Sequence, residues 1–268
     1  MAHQNGEPRP STVSGINRLP FPKKREIYAE LVPNEIIDLF HLNPYLYDPS
    51  GRSLLRIHCS EDSPAVEVEL RHRFDFPDPV VYGHIADNLH GQFHILLYVI
   101  NDPHSPRYDI DHLPDGTTTN LGADRRNLEA EQAALKDGLA PGQIRRGLRM
   151  LGPAARTFEA FVKGLGHTIY FAEPLYYHNA LLFERMGFAY QKGRALVNRI
   201  QTGFSPGGDL LARLDGSTPF RQPGAAESIR LRSWAIHDGI LGEPFNDVTM
   251  YKLVDKHAGI VSCPDCDW

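Results

Sequence analysis

Three groups of residues have types and spacings suited to chemistry. Arg149-Met150-Leu151-Gly152-Pro153-Ala154 fits the pattern R-x-x-G-x-A between a candidate strand and a helix. A helix start carries unpaired N–H groups and the positive end of the helix dipole, so it seats a pyrophosphate. Glycine lets the backbone come close to the phosphates. Pro153 removes one donor from the loop, and Arg145, Arg146 and Gly147, just upstream, are an alternative basic loop. A plain Gly-Pro helix start accounts for the same residues.

The second group is His84, His90 and His94, followed by His104, Asp109, Asp111 and His112. Imidazoles and carboxylates ligate zinc or iron. The spacing His84-x5-His90-x3-His94 matches no ligand motif, and 13 histidines crowd by chance. They are read as ordinary surface or core residues, and no metal is expected. The third group, Cys263-Pro264-Asp265-Cys266, supplies half a structural zinc site, which His257 or another ligand would have to complete. It lacks the strand and helix that flank a thioredoxin-like pair. It is read as a free, exposed tail.

The elements that must position these residues follow from periodicity. Lys23 to Phe40 reads as helical, kinked or divided at Pro33. Val66, Val68 and Leu70 alternate with Glu67, Glu69 and Arg71, as in a half-buried strand. Val80–Ile85 and Phe93–Ile100 are further strands, the latter a near-continuous apolar run expected to be buried on both faces. Asp111 to Asn120 reads as loop and Asn127–Asp137 as helix. Then come a helix over Pro153–Lys163, a strand over Thr168–Ala172, a helix over Tyr177–Met186 and a strand over Ala195–Ile200. Thr202 to Gly224 reads as a long loop, with closing strands at Ile229–Ile236 and Val248–Leu253. The expected fold is α/β: a mixed, largely antiparallel sheet flanked by helices. Residues 1–20 are expected to be a disordered tail, 21–255 a single domain and 256–268 a C-terminal tail.

Hydrophobic residues make up 41% and charged residues 23%, as in a globular protein. A formal charge of −5 does not favour a nucleic-acid partner. No apolar run approaches the roughly 18 residues that span a bilayer, so no membrane partner is expected. Three cysteines do not staple a secreted fold, so a reducing cytoplasm is the expected location.

The order from Gln143 to Ile200 resembles the GNAT superfamily of N-acyltransferases. It is carried by the Arg149–Ala154 loop, a helix, the strand Thr168–Ala172, and a helix ending Phe183-Glu184-Arg185-Met186-Gly187-Phe188. In that family two strands splay apart and the pantetheine arm of coenzyme A lies between them. The resemblance implies acetyl-CoA or another acyl-CoA as co-substrate and an amine of a small molecule or peptide as acceptor. It implies coenzyme-binding roles for Arg149, Met150, Leu151, Gly152, Ala154, Tyr176, Asn179 and Phe183.

Phe183 departs from the family pattern: it replaces the tyrosine that commonly protonates the leaving thiolate, and phenylalanine donates no proton. Transfer to an amine needs a base, oxyanion donors and an acid. Glu173, after the strand, is the candidate base. Tyr177, then His178, are the candidate acids. The alternative is a GNAT-like protein that binds acyl-CoA or another small ligand without efficient turnover. More remote is a histidine-ligated metalloprotein.

Overall fold

The computed structural model describes residues 9–119 and 125–268. They divide into two compact units. The first holds residues 9–100, 148–172 and 253–255; the second holds Asn101–Gly147, Glu173–Lys252 and Lys256–Trp268.

The first unit is built on a mixed sheet. Strands β1 (Leu55–His58), β2 (Ala65–Leu70), β3 (Val81–Asp87) and β4 (Phe93–Ile100) form an antiparallel meander, and β5 (Ile169–Ala172) joins β4 in parallel. The alternation of β2 is explicit: Val66, Val68 and Leu70 are buried while the residues between them are half-buried. A parallel neighbour needs a crossover, and helix α5 (Leu151–Gly164) supplies it. Ala154, Phe158, Phe161 and Val162 form its buried face. Phe161 meets Phe93 of β4 at 5.5 Å and Phe158 meets Tyr170 of β5 at 5.3 Å between ring centroids. Each such aromatic side chain contributes about 1.5–3 kcal/mol on burial.

Three short helices precede the sheet: α1 (Val13–Asn17), α2 (Phe21–Ala29) and α3 (Asn34–Leu39). The last two are separated at Pro33, as expected. Helix α1 corrects the expected tail, because Val13 and Ile16 are fully buried. Thr12 caps it by accepting from Gly15 N–H, and Asp87 of β3 accepts from the N–H groups of Val13 (2.7 Å) and Ser14 (2.9 Å). A carboxylate thus satisfies the positive end of the helix. Residues 1–8 of the expected tail lie outside the described residues.

The second unit is mainly helical: α4 (Leu128–Lys136), α6 (Tyr177–Arg185), α7 (Arg194–Phe204), α8 (Asp209–Ala212) and α9 (Ile229–His237). An antiparallel pair accompanies them, β6 (Ala189–Lys192) with β7 (Thr249–Leu253). Two expected strands are helices. In α7, Val197, Ile200 and Phe204 are buried, a three-to-four-residue period that only a helix aligns. In α9, Ile229 and the unbroken run from Arg232 to Ile236 are buried, a helix enclosed on nearly all sides, and Ser228 caps it by accepting from Leu231 N–H. Trp234 anchors a core with Ile110, Ala134, Leu139 and Phe220, and donates its indole N–H to Leu139 O at 2.7 Å. The expected 202–224 loop contains α8, and a 3-10 turn at Pro223–Glu227 follows.

The C-terminal segment is also docked, against expectation. Cys263 is buried and bonded to Cys266, with 5.4 Å between their Cα atoms. Among the described residues, no helix is long and apolar enough to cross a membrane.

Candidate functional site

In the first unit, β4 is the element of interest. Its register with β3 runs His84↔Leu97 and then Ile85↔Ile95, which leaves Leu96 as an extra residue, a β-bulge. Its parallel register with β5 runs over His94↔Phe171 and Ile95↔Ala172, and β4 continues five residues beyond it. Leu96–Ile100 are accordingly half-buried, which corrects the expectation of a strand buried on both faces. A bulge takes backbone groups out of the ladder.

The α5 start lies in the same unit. Met150 is its N-cap, and no side chain caps it. Arg149 takes the left-handed conformation (φ 59°), which costs a non-glycine residue about 1 kcal/mol or more. Pro153 has no N–H, and the Ala154 N–H is committed to Met150 O at 3.0 Å. Leu151 and Gly152 therefore hold the first-turn N–H groups that lack an acceptor among the described residues. Ala154 is buried in the core beneath them. Gly152 is exposed, and a Cβ added there would meet only Arg156 Nη1, at 3.7 Å. Arg156, not singled out in the sequence, shares that face through i,i+4 spacing and pairs with Glu35 at 3.2 Å. The alternative loop is otherwise engaged: Arg145 is buried and donates to Ser105 O, and Arg146 pairs with Asp137 at 2.8 Å.

The remaining sequence candidates belong to the second unit, at the start of α6. Asn179 Oδ1 accepts from Tyr176 N–H at 3.2 Å, which turns its amide nitrogen toward His178 Nε2, 3.1 Å away. His178 Nε2 is then the acceptor, and Nδ1–H donates to Ser233 Oγ at 2.8 Å. The ring stacks on Tyr176 and is 3% exposed; burial, reinforced by His237, pushes its pKa down to about 3. It is a neutral, fully bonded core imidazole.

Tyr176 lies against Gly142, whose φ of 80° and lack of a Cβ make room for the phenol ring. Burial raises the Tyr176 pKa, with the Glu131 carboxylate adding to the effect. Its ring also meets the edge of His237. His237 lies 3.0 Å from Glu131, which Arg126 ties to Asp238. Tyr176, His178 and Asn179 are thus brought together by the build of the α6 N-terminus.

Tyr177 is fully buried, and burial raises its pKa against a smaller opposing effect of Arg232. A hydroxyl sealed from solvent is poorly placed to protonate a departing thiolate, which weighs against Tyr177 as the substitute acid. Phe183 packs on Phe188 at 5.0 Å. Glu173, directly after β5, is exposed and is the accessible member of the three candidates.

The histidines do not converge on a metal. His84 and His94 occupy β3 and β4 opposite Leu97 and Ala86, and His90 is exposed in the turn between them. Among the described residues, no three His, Cys, Asp or Glu side chains are grouped to hold a metal ion. No protein-family model, no curated protein and no solved structure matches the chain.

Proposed function

We propose that the protein is an acyl-CoA-dependent N-acyltransferase with a GNAT-like binding core. The observation that carries this reading is the β4–α5–β5 crossover. Its parallel register ends at Ile95↔Ala172 while β4 runs on, and the α5 N-terminus is exposed and uncapped. Pyrophosphate would take the N–H groups of Leu151 and Gly152, with Arg149 and Arg156 as counter-charges. The amides of pantetheine would pair with the backbone of β4 beyond Ile95, as an added strand does. Glu173, directly after β5, is the candidate base for the incoming ammonium. With phenylalanine at position 183 and Tyr177 and His178 in the core, water protonates the leaving thiolate.

Phe183 and the burial of Tyr177 favour a second reading, acyl-CoA binding without efficient turnover. Calorimetric titration with acetyl-CoA and longer acyl-CoAs, followed by assay of free coenzyme A thiol in the presence of amines, separates the two. Thiol release with an amine supports the transferase. Binding without release supports the second reading, and no binding of any acyl-CoA refutes both.

A further inference from the structure

Arg232 of α9 is a buried cation, 5% exposed. Its Nε donates to Ala226 O; its Nη1 donates to Gln201 Oε1 at 2.7 Å and lies 3.2 Å from Cys263 Sγ. The Phe204 ring lies 5.0 Å away. None of these partners is a carboxylate. A buried guanidinium without a counter-charge is costly. The Tyr177 hydroxyl also lies within its influence, but burial holds that phenol in its neutral form. Among the described groups beside Arg232, the Cys263 sulfur is the one placed to become an anion.

The cysteine pair is held in register with that cation from both sides. Ser262 N–H donates to the buried Glu184 carboxylate at 2.7 Å. Asp267 N–H donates to Glu227 O at 3.0 Å, and Ile229 N–H donates to Asp267 O at 2.8 Å. The two sulfurs differ in access: Cys263 is 4% exposed and Cys266 is half-exposed.

We propose that Cys263 and Cys266 form a thiol–disulfide exchange site whose reactants are small thiols and disulfides. A thiolate RS⁻ attacks the accessible Cys266 Sγ and forms a mixed disulfide there. The Cys263–Cys266 bond breaks and its electron pair leaves on Cys263 Sγ, as a thiolate paired with Arg232. A second RSH resolves the mixed disulfide, giving RSSR and the Cys266 thiol. Two thiols are oxidised and one disulfide is reduced. Arg232 acts by stabilising the leaving thiolate, because a less basic thiolate leaves faster. This inference does not depend on the coenzyme reading.

The test uses the full chain carrying Cys59→Ser, equilibrated in reduced and oxidised glutathione, with the bridged peptide quantified by mass spectrometry. One reversible two-electron transition is expected; thiols that stay unpaired in oxidised glutathione overturn the proposal. Reduction by dithiothreitol should slow about tenfold or more in Arg232→Gln and stay within about threefold of the parent in Arg232→Lys. A folded Arg232→Gln protein reduced as fast as the parent overturns it. If Arg232→Gln does not fold, Cys263→Ser and Cys266→Ser are each exposed to oxidised glutathione. Cys266 should be modified about tenfold faster than Cys263, and equal rates overturn the proposal.

Discussion

Replacing Gly152 with glutamate should strengthen the fold while weakening coenzyme binding, and these opposite signs make it an informative perturbation. Gly152 is the second residue of α5, exposed, with open space where a side chain would stand except for Arg156 Nη1 at 3.7 Å. Glutamate is a better helix former than glycine by about 0.5–1 kcal/mol. A carboxylate in the first turn gains about 0.3–1 kcal/mol from the helix dipole. Together they predict about 1 kcal/mol of added stability, or roughly 2–4 °C in Tm for a chain of this size. The same carboxylate occupies the seat proposed for pyrophosphate. At about 5 Å, repulsion between like charges amounts to about 1–3 kcal/mol at effective dielectrics of 80 to 20. Coenzyme A affinity should therefore fall about tenfold or more. Thermal melts and calorimetric titration of the same preparation read both quantities. Unchanged coenzyme affinity in a folded Gly152→Glu protein would remove the α5 N-terminus as the phosphate seat.

Three further outcomes are expected. Gly142→Ala forces a methyl into the Tyr176 ring at a φ of 80°, so urea denaturation should show about 2–4 kcal/mol of lost stability; a loss below about 1 kcal/mol would contradict that packing. His178 has its folded pKa depressed from 6.5 to about 3, so its contribution is present above pH 6.5 and is lost as pH falls through that window, at up to about 1.4 kcal/mol per pH unit. His178→Gln should flatten the acid limb of a stability–pH curve, and an unchanged slope would refute a neutral buried imidazole. Finally, Phe183→Tyr should raise coenzyme A thiol release about tenfold or more if position 183 faces the thiolate, whereas Tyr177→Phe should leave the rate unaltered. A large loss of rate in Tyr177→Phe would restore Tyr177 as the acid.

The strands of the first unit were legible along the chain because their signal is local. Val66, Val68 and Leu70 alternate with charged residues, and Phe93–Ile100 is an apolar run bounded by turns; they became the strands Ala65–Leu70 and Phe93–Ile100. The same local signal misled at Ala195–Ile200 and Ile229–Ile236. A short run rich in aliphatic residues suits a strand or a helix, and the choice falls to whichever side meets a core. For α7 that side is Val197, Ile200 and Phe204.

The sequence alone determined the order of the α5 loop, the β5 strand and the α6 helix, and the types of residue available there. Which of those residues remain accessible was decided by partners far along the chain. Asp87, 74 residues away, satisfies the start of α1 and turns an expected tail into a helix. Ser233, 55 residues away, accepts the hydrogen bond of His178 Nδ1–H and makes a candidate acid into a core residue. Arg232, 31 residues away, places a buried positive charge beside Cys263. Residue type and spacing are properties of the chain, whereas burial, protonation and reactivity depend on the low-dielectric surroundings that only tertiary contact creates.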